Sequence, residues 1–426
     1  MTNYQPGDDF ATKPVPEINR VSAYKIAIII IGGTIAVPGF LMSSQISSGA
    51  GFYPGLVSYV LGCQVLAITG ILAGIVGAKS KLSTYLILGY SFGKKGSKIA
   101  NTLIALVMFF WFSILCNLFG QAVHEIILIV MNLNISKQLF ALMGGLVMLL
   151  IALYGFSALG KMAAVMIPVL FLILSYGAIS ALINGELTRL NEPGTGQLGI
   201  GAATSIVIGA YSGGIVTLPD YLRYAKNLRS ALVSVYIALG ISFPTVLTIT
   251  AIPSVLSGEQ DLIKIMLSMG VGFSALIVLI FSTMSSNVGM IYSVGLAISA
   301  SFNQIKFWQA VGLVGGFATL LSIFDVVSLF IPYISILGIS IPSLCGIYIC
   351  DFFIINKRDY STEKMHVLPN YNYSAFISWG VGFLVGGLSN KGLISLTNVS
   401  AFDSMMAAAI CYCLIYLMRQ KQFVAK

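Results

Sequence analysis

Two short stretches interrupt long apolar runs of this chain: Ala36–Gly39, with the sequence AVPG, and Tyr211–Gly214, with the sequence YSGG. Proline lacks a backbone N–H and glycine adopts unusual dihedral angles, so we expect a helix to open at each stretch. Inside a bilayer an opened helix is stable only where its freed N–H and C=O groups face protein, a ligand or an ion. Two such breaks, five apolar runs apart, predict a secondary transporter built from inverted repeats.

The composition indicates an integral membrane protein. Of the 426 residues, 57% are hydrophobic and 9% are charged, and the mean hydropathy is +0.94. Soluble domains carry about a quarter charged residues, so this composition argues against a soluble protein. No cleavable signal peptide is expected, because the first 23 residues are largely polar and the first apolar run has full spanning length.

Twelve apolar runs predict twelve transmembrane helices and an all-α fold. The approximate bounds are 24–48, 52–78, 98–131, 136–156, 159–183, 198–222, 230–256, 268–299, 307–324, 327–354, 373–389 and 399–418. The predicted organisation is an N-terminal tail (1–23), a five-helix repeat (24–183), a second five-helix repeat (198–354), two extra helices (373–418) and a C-terminal tail (419–426).

The basic residues sort to one side of this topology. With a cytoplasmic N-terminus, 19 of the 23 lysines and arginines fall in inner segments. The four outer ones are Lys137, Arg189, Lys264 and Lys391. This bias predicts a multi-pass protein of the cell (plasma) membrane with both termini cytoplasmic. The net charge of +9 resides in short loops without a nucleic-acid motif, so we expect a lipid bilayer and no nucleic acid as partner.

The six cysteines all lie in apolar runs, and neither Cys345 with Cys350 nor Cys411 with Cys413 has CxxC spacing. We therefore expect small packing residues and neither disulfides nor a metal site. With two histidines and no cluster of Asp, Glu and His, the chain is not expected to be an enzyme or to hold a cofactor beyond a coupling ion.

Four ordered stretches carry a resemblance to a known family: Gly77–Ser97, Asp220–Asn227 (DYLRYAKN), Ser285–Gly295 (beginning SSN) and Ile341–Phe352. Together they resemble the nucleobase:cation symporter-1 family, and within it the cytosine permeases, over about residues 24–360. The resemblance implies a twelve-helix fold of the leucine-transporter type, with a 5+5 inverted repeat plus two extra helices. It also implies import of a nucleobase or related small heterocycle, coupled to Na⁺ or H⁺.

Two aromatic side chains are the main candidates for substrate binding. Trp111 lies in the middle of its run and offers a flat π face, which suits a planar heterocycle; the alternative is ordinary packing. In the family that the chain resembles, a Trp at this place stacks on the substrate, and a second aromatic, here Tyr211, covers the other ring face. Backbone at Ser212 and Gly213 is expected to bond the ring edge. Asn287 is a candidate for the polar edge, or else bonds a neighbouring helix.

A serine face is the candidate cation site. Ser282, Ser285 and Ser286 stand at i, i+3 and i+4, on one face of a helix, and hydroxyl and carbonyl oxygens suit Na⁺. The resemblance points to the Ser285 and Ser286 hydroxyls with carbonyls of Ser282, Ala36 and Gly39. The alternative is that the hydroxyls bond back to their own helix. No carboxylate lies near this face, which is compatible with a weak, neutral Na⁺ site, and proton coupling stays an alternative.

Some positions depart from the resembled family. Relatives often carry an amide three residues before or four after the Trp, where this chain has Met108 and Leu115. The ligand edge is therefore expected to be less polar than that of cytosine.

The remaining charged residues in the apolar runs are expected to have mainly structural roles. Asp220 and Arg223 are expected to pair at i, i+3. His124 and Glu125 are expected to form a gate or solvated cap at the outer mouth, or else a proton relay.

Several alternatives stay open from the sequence. The substrate ranges over cytosine, purines, hydantoin, allantoin and thiamine-precursor pyrimidines, and a leucine-transporter-type carrier for an amino acid is a further reading. A passive facilitator is expected to show a continuous polar pore instead of a pair of helix breaks. The choice between Na⁺ and H⁺ and the oligomeric state are not determined by the sequence.

Overall fold

The structure is a computed structural model that describes residues 9–258, 272–302, 304–324, 339–361, 365 and 367–424. Regular structure in these residues is helical, apart from two isolated β-bridges. The helices are α1 (Ala23–Thr34), α2 (Val37–Ala50), α3 (Phe52–Ser80), α4 (Thr84–Phe92), α5 (Gly96–Met131), α6 (Lys137–Leu153), α7 (Gly155–Asn184), α8 (Ile200–Val216), α9 (Leu218–Leu222), α10 (Leu228–Ser257), α11 (Gly272–Ser301), α12 (Phe307–Leu321), α13 (Ile339–Ile355), α14 (Tyr373–Asn390) and α15 (Ser400–Val424).

Apart from α4, which lies between two apolar runs, the described helices overlap the predicted runs. The first and sixth runs each contain two helices, α1 with α2 and α8 with α9. In the described residues, five helical segments are long and apolar enough to cross a membrane: α3, α5, α7, α10 and residues Ser400–Arg419 of α15. The beginning of the predicted run 327–354 lies outside the described residues.

Two groups of helices surround α1. Helix α11 packs most extensively on α5 and also contacts α7, α12 and α6, whereas α3 packs on α8, α9 and α10. Helix α1 contacts α7, α10 and α11 and so lies between the groups. Small residues permit the close packing of α3, where a Cβ at Gly77 would lie 2.5 Å from Pro219 of α9 and one at Gly62 would lie 2.7 Å from Val207 of α8.

The first predicted break is confirmed. Helix α1 ends at Thr34 and α2 begins at Val37, and Ala36 between them is extended, with φ −129° and ψ 151°. Pro38 has no N–H to donate to the carbonyl of Thr34, four residues earlier. The N–H of Ala36 donates to that carbonyl instead, at 3.0 Å. The break therefore follows from the missing proline donor.

The second predicted break is displaced. Helix α8 continues through Tyr211–Gly214 to Val216, and the interruption comes at Thr217, with φ −95° and ψ 3°. The prediction of an opened helix at YSGG is therefore wrong. Glycine only permits a break, whereas Pro219 imposes one because it cannot donate to the carbonyl of Ile215. That carbonyl accepts the N–H of Thr217.

One cysteine pair also differs from the expectation. Cys350 of α13 and Cys413 of α15 form a disulfide, with their Cα atoms 6.7 Å apart. The expectation that all six cysteines are packing residues is wrong for this pair, because residues 63 apart meet only through the packing of the two helices. The free cysteines are Cys63, Cys116, Cys345 and Cys411.

Candidate functional site

A cavity of about 570 Å³ lies at the break between α1 and α2. Ala36 and Gly39 line it from the break, Trp111 from α5, Tyr211 from α8 and Ser285 from α11. Its volume falls in the range of about 300–1,000 Å³ that small-molecule sites occupy. The cavity therefore joins predicted substrate-binding and cation-binding residues that are distant in the sequence.

Trp111 faces this cavity. Its side chain is partly buried and packs against the apolar core. Met108 and Leu115, one helical turn before and after it, line the cavity with it. The indole is thus placed to offer a face to a bound ring, while its role in binding stays a prediction.

Tyr211 owes its position to a glycine. Its ring lies over Gly214, where an added Cβ would come within 2.8 Å of a ring carbon. Its hydroxyl lies 3.5 Å from where a Cβ on Gly33 of α1 would stand, and its ring centroid is 5.8 Å from that of Phe243. The glycine of YSGG at position 214 therefore makes room for Tyr211 and does not open the helix.

The two small residues after Tyr211 also line the cavity, but within a continuous helix. The Ser212 hydroxyl donates to the carbonyl of Gly209 at 2.9 Å. The expected freed backbone at Ser212 and Gly213 is not found, since helix α8 continues past both. A ligand would meet the Ser212 side chain and the bare backbone of Gly213 there.

Asn287, the candidate for the polar ligand edge, does not line the cavity. It is fully buried, and its Nδ2 is 3.2 Å from the Phe112 carbonyl, 3.2 Å from Cys116 Sγ and 3.2 Å from Met148 Sδ. It thus connects α11 to α5 and α6 and is not among the residues that line the cavity. Because successive residues of a helix turn by about 100°, the position after Ser286 faces α5 instead. The structure supports the alternative reading of this amide.

Ser285 and Ser286 face the cavity opposite the α1–α2 break. The Ser286 hydroxyl donates to the Ser282 carbonyl at 3.0 Å, which leaves its lone pairs available to a cation. The Ser285 hydroxyl lies against Gly32 of α1, where any side chain would overlap with it. Ser282 is fully buried one turn away and does not line the cavity.

The backbone at the break supplies further oxygens. Ala36 and Gly39 line the cavity, and the Ala36 carbonyl accepts the N–H groups of Gly39 at 2.8 Å and Phe40 at 3.4 Å. A carbonyl has two lone pairs, but this one already has two donors. Within the described part of the chain, no group of three or more His, Cys, Asp or Glu side chains forms a metal site. A cation here would be held by hydroxyl and carbonyl oxygens.

The expected pairing of Asp220 with Arg223 is wrong. The Arg223 guanidinium donates through Nε to the backbone carbonyl of Asp220 at 3.1 Å, and Asp220 Oδ1 accepts the N–H of Thr84 at 2.8 Å. The ion pairs found among the described residues are Arg20 with Glu17 and Arg189 with Glu186. Arg223 instead binds the N-terminal segment, since it donates to the Asp9 and Phe10 carbonyls at 2.9 and 2.7 Å.

The outer histidine has a local partner. His124 Nδ1 forms a hydrogen bond with the Ile135 carbonyl, which ties α5 to the loop before α6. Glu125 beside it is exposed. This arrangement supports the reading of a cap at the end of α5.

Several lining residues were not singled out from the sequence. Met290 and Ser293 follow Ser286 at i+4 and i+7, so helical periodicity alone would have found them. Met42 and Phe243 carry no such signal, because they reach the cavity through the packing of separate helices. Tertiary packing, which no local pattern encodes, places these last two.

The family model described as "Permease for cytosine/purines, uracil, thiamine, allantoin" matches residues 14–417 of the chain. The chain belongs to the nucleobase:cation symporter-1 family. The cytosine permease of Escherichia coli (strain K12) is 22% identical to it over 381 residues, which cover 89% of each chain.

Solved structures show the same fold. Mhp1, a nucleobase-cation-symport-1 family transporter in a closed conformation with bromovinylhydantoin bound, superposes with a TM-score of 0.83 at 19% identity, over 99% of this chain and 96% of that one. MhsT in complex with L-phenylalanine superposes with a TM-score of 0.64 at 16% identity, over 93% and 98%. The family member is therefore an all-helical membrane transport protein with a leucine-transporter-type fold, and its homologues are permeases and not enzymes.

Proposed function

We propose that this family member is a secondary symporter that imports a nucleobase or related small heterocycle by alternating access. The observation that carries the proposal is that Trp111, Tyr211 and the serine pair Ser285–Ser286 line one and the same cavity. Two flat side chains from different helices and a set of neutral oxygens are the groups that a planar ring and a monovalent cation need. The transport activities named for the family agree with it.

Stacking is the proposed mode of substrate binding. Trp111 on α5 and Tyr211 on α8 present aromatic surface to the cavity from separate helices. Ser212 of α8 and Thr217 at the α8–α9 junction add hydroxyls for the ring edge. The hydantoin held by Mhp1 is a planar heterocycle of this kind, which supports the same class of ligand here.

Sodium is the proposed coupling ion. The Ser285 and Ser286 hydroxyls on α11, with carbonyls of Ala36 and Gly39 across the cavity, form the proposed ligand set. On the Ala36 carbonyl, the ion would take the place of the longer of the two present hydrogen bonds, that from the Phe40 N–H at 3.4 Å. An ion held between α11 and the α1–α2 break stabilises whichever conformation brings them together, and this differential affinity is what couples ion binding to a conformational change. Ser282, which accepts the Ser286 hydroxyl, positions that ligand.

The number of transmembrane helices and their internal repeat are also proposed. Twelve transmembrane helices would comprise a 5+5 inverted repeat over 24–183 and 198–354 and two further helices over 373–418. The support is that the α1–α2 and α8–α9 interruptions each fall in the first helix of a repeat, and both line the cavity. The distribution of basic residues supports cytoplasmic termini in the cell membrane.

Uptake into proteoliposomes tests the function. The purified full chain is reconstituted, and accumulation of radiolabelled uracil, cytosine, hypoxanthine and hydantoin is measured with an inward Na⁺ gradient, with K⁺ in its place, and with a pH gradient alone. L-phenylalanine is measured in the same way as the amino-acid control. We expect at least one ring to accumulate above its outside concentration only with the Na⁺ gradient. Accumulation driven by the pH gradient without Na⁺ would refute the sodium assignment, and uptake of L-phenylalanine with no heterocycle would refute the substrate class.

A further inference from the structure

One buried carboxyl group lies where α9 meets α4. Asp220 of α9 is fully buried, and its Oδ1 accepts the N–H of Thr84, the first residue of α4, at 2.8 Å. Two hydroxyls nearby are directed elsewhere, since those of Thr84 and Tyr348 both donate to the Val216 carbonyl, at 3.3 and 3.1 Å. Asp220 Oδ2 has no hydrogen-bond partner among the described residues. One of its two carboxyl oxygens is therefore left without a donor.

Two other buried aspartates have many more donors. Asp351 accepts hydrogen bonds from three side chains: Asn356, Tyr360 and Tyr412. Asp403 accepts hydrogen bonds from two backbone N–H groups and two hydroxyls, which belong to Ser389, Leu396 and Thr397. Several donors stabilise the charged form of a buried carboxyl group. Asp220 lacks that support.

Arg223, three residues after Asp220, does not contact its carboxyl group. The Arg223 Nε donates to the backbone carbonyl of Asp220 at 3.1 Å, and its terminal nitrogens donate to the carbonyls of Asp9 and Phe10. Neither of the ion pairs found among the described residues includes Asp220. Burying an ionised carboxylate away from a cation costs several kcal/mol, and a bound proton removes that cost.

The helices around Asp220 bring neutral groups toward it. Helix α3, which packs most extensively on α9, faces it with three glycines: Gly70, Gly74 and Gly77. Helix α8 has no charged residue, and the only one of α1, Lys25, lies against Gly160 of α7. The titratable side chains close to Asp220 are tyrosines: Tyr85 of α4, Tyr221 of α9 and Tyr348 of α13. These groups supply no cation to balance a carboxylate.

Two hydroxyls connect this carboxyl group to the cavity. Tyr85 is fully buried, close to Asp220 and to Ser293 of α11, and its hydroxyl also has no hydrogen-bond partner among the described residues. Ser293 lines the cavity, as does Tyr221, the next residue after Asp220. With a proton on Oδ2, Asp220 can donate to Tyr85, and the Tyr85 hydroxyl can donate in turn to Ser293. A proton thus has a route between the cavity and Asp220.

From these contacts we propose that Asp220 is a proton-binding site whose proton exchanges with the cavity through Tyr85 and Ser293. The proton comes from water in the cavity, binds Oδ2 and returns by the same route, so that only O–H bonds form and break. A ligand that displaces this water disfavours the charged carboxylate further, so ligand binding and proton binding favour each other. The proton binds in addition to the sodium ion proposed above. The link to ligand binding rests on the proposed function, whereas the proton site does not.

Infrared spectroscopy of the purified full chain tests the site without a ligand. A protonated carboxyl group has a C=O stretching band that carboxylates and amides lack, and the difference between spectra at acidic and alkaline pH isolates it. We expect this band at about pH 6, where exposed carboxyl groups are ionised, and its loss at alkaline pH. A spectrum without the band at that pH would overturn the proposal.

Variants assign the band to one residue. Asp220→Asn keeps an oxygen for the Thr84 N–H and offers an amide N–H to Tyr85, so we expect it to fold and to lose the band. Asp351→Asn removes a carboxyl group that has three donors and should keep the band. A band that persists in Asp220→Asn would refute the assignment.

A second variant covers the case in which Asp220→Asn does not fold. Tyr85→Phe removes only the hydroxyl that accepts the Asp220 proton. The carboxyl group then loses this hydrogen bond, and its C=O band should shift to higher frequency. An unshifted band in this variant would overturn the proposal.

Calorimetry measures the link to ligand binding. Uracil, cytosine, hypoxanthine and hydantoin are titrated into the full chain in NaCl, and the tightest binder is measured again in two buffers of different ionisation enthalpy, which gives the number of protons taken up. We expect proton uptake in the unmodified protein and in Glu125→Gln, which changes an exposed carboxyl group, and none in Asp220→Asn. From about pH 6 to 8 the dissociation constant should rise by about fivefold or more, because the linked proton becomes scarcer, and should stay level in Asp220→Asn.

The outcomes separate the two proposals. If none of the four rings binds, the proposed function fails, and the infrared spectra decide the proton site by themselves. If a ring binds to the unmodified protein without proton uptake, the link between Asp220 and the cavity fails while the proposed function stands. Proton uptake that persists in Asp220→Asn would place the linked proton on another group and refute the link.

Discussion

At the scale of single residues, Trp111 is the side chain on which substrate binding depends most. Removing the indole in Trp111→Ala takes away one stacking face, and base–aromatic stacking contributes about 1–3 kcal/mol. We expect the dissociation constant of the best-bound heterocycle to rise by about 5–150-fold. Calorimetric titration of the purified variant measures it.

The chain offers a matched control for that substitution. Trp308 of α12 is 49% exposed and does not line the cavity, so Trp308→Ala should leave ligand affinity unchanged. Unchanged affinity in Trp111→Ala, with the fold intact, would mean that the indole only packs.

The serine face makes a second residue-scale prediction. The double variant Ser285→Ala with Ser286→Ala removes two hydroxyl oxygens from the proposed cation site and should raise the Na⁺ concentration for half-maximal uptake by on the order of tenfold. Ser299→Ala on the same helix is the control, because this buried hydroxyl donates to the Gly295 carbonyl at 2.6 Å and lies outside the cavity lining. A Na⁺ dependence that is identical in all three proteins would rule out the site.

Residue chemistry in the sequence predicts part of this site. Trp111 and the serine pair were singled out because an aromatic in mid-run and hydroxyls at helical spacing are local signals, whereas the role of Tyr211 was implied by the family resemblance. The sequence left Asn287 open between a ligand edge and a neighbouring helix, because an amide in an apolar run signals a polar partner without saying which one. Its direction depends on the rotation of α11, which packing against α5 determines.

At the scale of elements, the two glycines of YSGG have different roles. A Cβ at Gly213 would meet nothing within 4 Å, whereas one at Gly214 would collide with the Tyr211 ring at 2.8 Å. Gly213→Ala in a continuous helix should stabilise the protein by about 0.5–1 kcal/mol. Gly214→Ala should destabilise it by about 1–3 kcal/mol and displace Tyr211.

Thermal unfolding of the two variants in detergent measures both effects. Because the residues are adjacent, each variant is the control of the other. A loss of stability in Gly213→Ala would indicate that the backbone there is not helical after all.

The disulfide between α13 and α15 is a second element-scale feature. Removing it in Cys413→Ser should lower stability by about 2–4 kcal/mol, since a long closed loop in the unfolded chain is released. Cys411→Ser, two residues earlier on the same helix, changes a free and partly exposed thiol and should have little effect.

Alkylation under non-reducing conditions, followed by mass spectrometry, is a direct check of the bond. Cys350 and Cys413 should remain unlabelled until a reductant is added. Labelling of either one before reduction would contradict the bond.

The positions of the helices along the chain were largely predictable from the sequence. The helix breaks and the contacts between helices were only partly predictable. Apolar runs of about 20 residues predict a spanning helix wherever they occur. The break at Pro38 was predictable because proline has no backbone N–H in any structural context. The same reasoning applied to Pro219 would have placed the second break correctly. The disulfide was not predictable, because helix pairing is set by the whole fold.

At the scale of the whole molecule, one buried arginine connects the N-terminal segment to the helices. Arg223 is fully buried and donates to the Asp9 and Phe10 carbonyls and, at 3.0 Å, to the Tyr292 hydroxyl of α11. The Val21 N–H donates to the Tyr224 carbonyl at 2.7 Å, so the segment is also held at its other end. Residues 9–21 are thereby tied at both ends to the residues that follow α9.

Arg223→Met should release this segment. Without the guanidinium, the carbonyls of Asp9 and Phe10 lose charge-assisted donors, and each unmade bond costs about 1–3 kcal/mol. Limited trypsin digestion of the purified chain, with cleavage after Arg20 followed by mass spectrometry, should show faster removal of residues 1–20 than in the unmodified protein. Arg229→Met changes an exposed arginine nearby and should leave that rate unchanged. Equal rates for all three proteins, with folding confirmed by thermal unfolding, would show that the other contacts of the segment hold it without the guanidinium, among them the bonds from the Val15 N–H to the Lys81 carbonyl and from the Val21 N–H to the Tyr224 carbonyl.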